Sequence, residues 1–483
     1  MANVNGSNDL RVRVVSRRLV KASPHSTKPH VLAVSNIDLV PHTTIQITMF
    51  CVYPRPLAGD FNGVVAAFEA SLPSFLDHFY PFAGRIATNP SSGLPELHCN
   101  NQGAELVVGE ADVALASLDY STTTTLVRRI QQQYNRDIAL SVQLVSFACG
   151  GFVVAWCTNH VLADGSSLSA LVTAWSELAR SGTIHTTSLP NHDRSVFRPR
   201  ATPSYDTAWF DEAFTPLDDA ERQVNVLTTQ ESFVERLYYI EASQIARLRD
   251  AASTNREGGG RRATRVEAVS AYIWKALAGV VCTAGDTSCR MQWWVDGRRR
   301  LTLTTTRQPE AMRNYIGNVT TAVVREASVD EVQRMALPDV AAMVGEAITA
   351  PAYDEIFQQL VDWVEEHKAR RYVRTASLGL GSPTVGVTAF TSFPLDTDFG
   401  FGHAAMATAA TSQSQTARLC SGFFQITARP GGDGSWIANA FLWPRLAAAL
   451  ESDQPCVFKP VTAEYLGLAS LILHTAHSIQ AKL

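Results

Sequence analysis

His160 and Asp164 sit in the stretch His160-Val161-Leu162-Ala163-Asp164-Gly165, between an apolar, strand-like run (152–158) and a helix-like run that opens at Ser166. A histidine at the end of a buried strand is held rigidly and can still face a cleft. That placement suits a general base, because the ordinary imidazole pKa of about 6.5 lies near working pH. The plainer alternative is a hydrogen-bonded core histidine. Asp164 is not read as a relay partner, since positions i and i+4 face each other only on a helix and Asp164-Gly165 reads as a turn. Its expected work is to hold the loop, through an arginine or through backbone N–H groups. A second cluster, Asp398-Phe399-Gly400-Phe401-Gly402, lies far downstream. Its glycines permit a tight backbone path around the aromatic rings. A kinase-type reading of Asp-Phe-Gly fails, because the Gly-rich nucleotide loop, the Val-Ala-Ile-Lys and the His-Arg-Asp loop are missing.

Other short segments fall in order between and around these two clusters. They are Ser35-Asn36-Ile37-Asp38, Tyr80-Pro81-Phe82-Ala83-Gly84-Arg85, Asp193-Arg194-Ser195 with Pro199-Arg200, Asp296-Gly297-Arg298-Arg299-Arg300-Leu301, Tyr315-Ile316-Gly317-Asn318 and Thr391-Ser392-Phe393. In this order they resemble the motifs of the plant acyl-CoA-dependent acyltransferases called the BAHD family, over nearly the whole chain. The resemblance implies a chloramphenicol-acetyltransferase-like α/β fold. Two lobes of mixed β-sheet with helices would meet at a channel, with acyl-CoA entering from one side and the acceptor from the other. It also implies an ion pair between Asp398 and Arg298 or Arg300, and a structural role for Phe399, Gly400, Phe401 and Gly402. Thr391, Ser392 and Phe393 would line the channel near the thioester. Gln46, Thr48 and Phe50, which share one face of a strand, would contact the acceptor, with His42 and His403 as further polar candidates. Phe393 and Phe401 stand where the family usually has Trp, and each loses an indole N–H donor.

The chemistry so implied is acyl transfer from acyl-CoA to a hydroxyl or amine of a small specialised metabolite. A thioester is already activated, and its leaving thiol has a pKa near the ~8.5 of cysteine. No covalent enzyme intermediate is needed. His160 would deprotonate the acceptor and then return the proton to the departing thiolate. Thr391 and Ser392 could donate to the oxyanion or to the pantetheine arm, or could equally be hydroxyls facing solvent. The phosphates of coenzyme A call for a basic lip. Arg261, Arg262 and Arg265 around Thr264 open a long apolar helix whose N-terminus favours phosphate. Arg298 and Arg300 belong to a second basic cluster, and each arginine could equally be a solvated surface charge. Acyl-CoA is thus expected as a co-substrate, with no permanently bound cofactor and no metal. Two other readings are a condensation-type enzyme taking carrier-bound thioesters and a non-catalytic ligand-binding relative.

The 483 residues suggest two or three domains with sizeable cores; 46% are hydrophobic and 18% charged. A net charge of −4 disfavours a general nucleic-acid binder. No uninterrupted apolar run suggests a membrane span, and the Arg-rich start lacks a signal core, so a cytoplasmic, monomeric protein is expected. The eight cysteines show no Cys-x-x-Cys and no zinc-ligand spacing, and read as reduced core thiols. Strands are expected near residues 11–20, 45–53, 104–108, 142–149, 152–158, 232–239, 291–295, 319–324, 384–390, 422–428 and 436–442. Helices are expected over 62–80, 167–178, 242–252 and 266–281, over two stretches of 340–371 broken near Pro351, and from Leu446. Their irregular alternation argues against a Rossmann or barrel fold. The organisation predicted is an N-terminal lobe (1–185), a turn-rich crossover linker (186–215) carrying Pro190, Pro199 and Pro203, and a C-terminal lobe (216–483).

Overall fold

Runs of β-branched and aromatic residues with small or turn-forming ends build two large sheets in the computed structural model. It describes residues 10–24, 28–40, 45–216, 225–254, 260–301, 312, 314–411, 421–452 and 456–468. The first sheet contains β1 (Val12–Val20), β3 (Gln46–Tyr53), β6 (Ala104–Ala111), β7 (Leu140–Phe147), β8 (Phe152–Asn159) and β15 (Met406–Thr411). Its strand order is β1-β6-β7-β8-β3-β15, with β6 and β7 parallel and the other neighbours antiparallel. The second contains β10 (Val234–Ile240), β11 (Ser288–Asp296), β12 (Thr320–Ser328), β14 (Thr384–Ala389), β16 (Ser421–Ala428), β17 (Trp436–Leu442) and β18 (Lys459–Pro460). Its order is β12-β11-β14-β16-β17-β10-β18. Here β14 runs parallel to both β11 and β16. A three-stranded sheet joins β2 (His30–Ala33), β5 (Pro95–Cys99) and β4 (Arg85–Thr88), and β9 (Phe214–Pro216) pairs with β13 (Tyr372–Arg374).

Each large sheet has its own apolar core. On the first, the helices Phe61–His78 and Gly165–Ser181 bury Phe68, Phe75, Leu171 and Trp175 against Trp156 of β8. On the second, the helix Arg265–Ala284 buries Trp274 and Leu277 beside Met291 and Trp293 of β11. This helix begins with a capping box between Thr264 and Glu267 and ends at the left-handed Gly285. By length and composition it could cross a membrane, but 61% of its apolar stretch is buried inside the protein. A third cluster fuses the lobes, joining Phe50, Ala155 and Met406 of the first sheet to Leu237, Tyr239 and Ile437 of the second.

The chain also changes lobes late. β15 pairs antiparallel with β3, from Met406↔Val52 to Thr411↔Ile47, so the first sheet takes its last strand from beyond residue 216. The residues expected to form the linker run as short turns and the helix Thr207–Ala213. They are tied down by Asn191 N–H to the Asn314 carbonyl (2.8 Å) and Ile316 N–H to the Asn191 carbonyl (2.9 Å). His42 and the polar residues 1–9 lie outside the described residues, as does most of the glycine-rich run 255–262.

Candidate active site

β8 ends at Asn159, and the next residue, His160, turns into a cavity between the two sheets. The His160 N–H bonds back to the Ile45 carbonyl (2.8 Å), which fixes the backbone there. Asp164 then caps the helix Gly165–Ser181 through Ser167 N–H (2.9 Å). At Gly165 a Cβ would lie 2.0 Å from Cε1 of Phe390, so only glycine lets the second lobe approach.

Asp164 does not touch the imidazole by any hydrogen bond among the described residues. Its carboxylate pairs with Arg298 in a two-pronged contact, Nη1 to Oδ2 at 2.8 Å and Nη2 to Oδ1 at 3.0 Å. Oδ2 also accepts from Val319 N–H (3.0 Å). Burial alone would raise the Asp164 pKa, but the Arg298 guanidinium and these N–H groups outweigh it and hold the carboxyl below its ordinary range. Arg298 also donates to Asp296 (2.9 Å), Ser167 Oγ (2.9 Å) and the Gly317 carbonyl (2.9 Å). Segment 315–319 is thus clamped between the lobes, and it carries Asn318. The Oδ1 of Asn318 lies 3.1 Å from His160 Nδ1. Burial lowers the His160 pKa below 6.5, partly offset by hydrogen bonding and by Asp164, Asn318 and Asp38.

The cavity has a volume of about 580 Å³. His160, Ile47 and Gly165 line it from the first lobe; Trp294, Phe390, Phe393 and Phe423 line it from the second. Arg374 is its unusual member. This guanidinium is half-buried, donates to Thr321 Oγ1 (2.9 Å) and sits 4.7 Å over the Phe214 ring, with no carboxylate partner among the described residues. Burial pulls its pKa down to about 10, still well above neutral pH.

Residues 10–454 match the model of one protein family, the Transferase family. The chain belongs to this family. It is the acyltransferase family that the sequence motifs resemble. Among curated proteins, the chain is similar to omega-hydroxypalmitate O-feruloyl transferase of Arabidopsis thaliana, with 26% identity over 83% of this chain and 84% of the relative. It is likewise similar to hydroxycinnamoyl-CoA:5-hydroxyanthranilate N-hydroxycinnamoyltransferase of Avena sativa, with 28% identity over 80% of this chain and 88% of the relative. Among solved structures, F. graminearum TRI101 complexed with coenzyme A and T-2 mycotoxin has the same fold. The TM-score is 0.66 at 15% identity, over 88% of this chain and 98% of that one.

Several site expectations for this transferase are corrected by the geometry. Asp398 forms no ion pair with Arg298 or Arg300. Gly400 and Gly402, at φ 102° and 100°, fold the loop back so that their N–H groups donate to Asp398 Oδ1 at 2.8 and 2.9 Å. Its backbone carbonyl accepts from Arg180. Phe399 and Phe401 pack into the first lobe, 4.7 Å from Phe68 and 5.2 Å from Phe152 respectively. The β3 residues expected to contact the acceptor do not face this cavity. Ile45 and Ile47 line the cavity, whereas Thr48 turns away to Gln131 (3.2 Å), Phe50 joins the cluster that fuses the lobes, and Gln46 is not at the cavity wall. His403 stands half-exposed beside Asp396 and outside the cavity. Thr391 and Ser392 lie in a turn; Ser392 and Phe393 line the cavity and Thr391 does not.

Of the basic residues, Arg261 is committed to Glu267 (2.6 Å), and Arg262 and Arg265 are exposed. Thr264 and Arg300 reach the cavity wall, with Arg300 5.5 Å over the Tyr353 ring. Sequence reading missed Arg374, which lies in no motif, and gave no role to Asn318 or Asp38, although both lie in motif segments. Among the described residues no group of His, Cys, Asp and Glu could hold a metal ion.

Proposed function

We propose that His160 is the general base of an acyl transfer that takes place in this cavity, without a covalent enzyme intermediate. The enzyme transfers an acyl group from acyl-CoA, its co-substrate, to a hydroxyl or amine of a small metabolite. The observation that carries the role of His160 is its hydrogen bond to Asn318. Amide Oδ1 can only accept, so Nδ1 carries the proton and Nε2 keeps its lone pair. Burial favours the neutral imidazole. Nε2 takes the acceptor proton as the acceptor oxygen or nitrogen bonds to the thioester carbonyl carbon. The tetrahedral intermediate collapses, the C–S bond breaks, and the proton passes from Nε2 to the CoA thiolate. Ser392, at the cavity wall, is the hydroxyl best placed among the three motif residues to meet the oxyanion.

The substrate class follows from the lining. Trp294, Phe390, Phe393 and Phe423 favour a planar aromatic acyl group, in keeping with the feruloyl and hydroxycinnamoyl groups in the relatives' names. Arg374, a cation without a carboxylate partner among the described residues, favours a substrate that brings its own anionic group. The proposed setting is the cytoplasm, supported by seven free cysteines among the described residues. The proposed unit is a monomer, supported by a site assembled within one chain.

The test is release of CoA thiol from a panel of acyl-CoAs with pooled alcohols and amines, for wild type beside His160→Ala. Release that needs both substrates and falls by about 10²–10⁴ in the variant is expected. Undiminished release by a folded His160→Ala protein would overturn the role of His160.

A further inference from the structure

Behind His160 lies a second buried carboxylate that the reaction as described does not use. Asp38 is completely buried. Its Oδ2 accepts from Ser35 N–H and Ser35 Oγ, both at 2.8 Å, and from Arg194 of the linker. Its Oδ1 accepts from the backbone N–H of Asn318 (2.7 Å) and from the side-chain Nδ2 of Asn318 (3.0 Å). The same Nδ2 donates its second hydrogen to the His160 carbonyl (2.8 Å). Arg194 also holds the Leu162 carbonyl (3.2 Å), two residues beyond the base.

These bonds decide which way the Asn318 amide points. Nδ2 has two hydrogens, and both have found acceptors, one of them a charged carboxylate. Turning the amide over would set Oδ1 against that carboxylate and against a carbonyl, leaving three acceptors together with no donor between them. The carboxylate therefore fixes Oδ1 on the side of His160 Nδ1. Since Oδ1 cannot donate, the imidazole must carry its proton on Nδ1. We infer that Asp38 is a positioning residue for the base, acting through Asn318 to hold His160 as the Nδ1–H tautomer with Nε2 bare.

This inference rests on His160 being the base, but it concerns the resting enzyme and can be read without turnover. Arg194 makes the arrangement tolerable by neutralising Asp38 in a site closed to water, so the crossover linker takes part in setting up the base. The Asp38 charge also works against burial by favouring the imidazolium that forms during the reaction. An amide at position 38 could present either oxygen or NH2 to Asn318 and would no longer dictate its orientation.

The first measurement is the ¹⁵N spectrum of histidine-labelled wild-type protein, assigned with His160→Gln. A protonated Nδ1 and a bare Nε2 on His160 are expected; a proton on Nε2 in the neutral enzyme overturns the inference. The second uses Asp38→Asn combined with Arg194→Gln, which removes both charges together and leaves neither buried alone. Expected are mixed His160 tautomers and a kcat lowered on the order of tenfold, with the KM for acyl-CoA within about twofold of wild type, since neither residue lines the cavity. A folded double variant with wild-type kcat and the Nδ1–H tautomer overturns the inference. Turnover persisting in His160→Ala would instead remove the base role while leaving the tautomer result intact, so the two failures are distinguishable.

Discussion

At the scale of the residue, Arg298 carries more of the site than any position singled out for catalysis. One guanidinium satisfies two carboxylates, a serine hydroxyl and the carbonyls of Tyr315 and Gly317. The planar fork makes this possible; a lysine ammonium has neither the reach nor the number of donors. Arg298→Met would leave the buried Asp164 and the half-buried Asp296 without their cation. Removing one partner of such a pair costs about 3–5 kcal/mol. The expected result is a urea midpoint lowered by that free energy divided by the m-value, with the m-value itself unchanged and Arg298→Lys in between. An unchanged midpoint would mean that the clamp does not hold the lobes. The His160 environment makes a separate prediction. Its pKa is lowered by burial, and a base works only when deprotonated. The kcat/KM profile should stay level as pH falls past the ordinary histidine value of about 6.5 and should drop only in more acidic solution. A drop centred above 6.5 would contradict the buried, neutral imidazole.

At the scale of the element, the Asp398–Gly402 loop is a fastener between lobes. Phe401 meets Tyr53 at 5.4 Å and 74° and Phe152 at 5.2 Å and 78°, both edge-to-face, inside the first lobe's core. Restoring the tryptophan usual in the family is therefore expected to overpack this core. Phe401→Trp should cost about 1–3 kcal/mol and leave the KM for either substrate near wild type; a gain in kcat would place the ring at the reaction instead. The same loop shows what could be read in the sequence. Strong strands such as β7, β8 and β14 and the buried helix Arg265–Ala284 were legible from their apolar runs, and His160 from its place between strand and helix. β15 was not, because Met406–Thr411 is built of alanine, threonine and one methionine, with no β-branched apolar residue to mark it. The face of β3 was assigned wrongly for a related reason. With both faces buried, from Ile47 to Tyr53, alternation carries no information about which side meets the cavity. The partner of Asp398 was misjudged because an aspartate before two glycines can bond its own loop as readily as a distant arginine. Arg374 could have been found only by locating a cation that has no carboxylate partner among the described residues, which is a fact of packing.

At the scale of the whole molecule, the two sheets depend on each other for more than contact area. The first lobe borrows β15 from the second half of the chain, and without it β3 becomes an open edge. Asp38 and Asp164 both belong to residues 1–185, whereas their cations, Arg194 and Arg298, come from beyond that stretch. A fragment ending at residue 185 would therefore hold two carboxylates in apolar surroundings with no countercharge, each costing several kcal/mol unless the site opens to water. Such a deficit is comparable to the 5–15 kcal/mol that stabilises a typical domain. Residues 1–185 alone are expected to give no cooperative thermal transition by circular dichroism, although they include a complete hydrophobic helix pair and five of the six strands of the first sheet. Co-expression with residues 186–483 should restore the transition and the acyl transfer, because every missing group is supplied in trans. A fragment that folded cooperatively by itself would show that the lobes are independent domains and that the buried ion pairs serve only to align them.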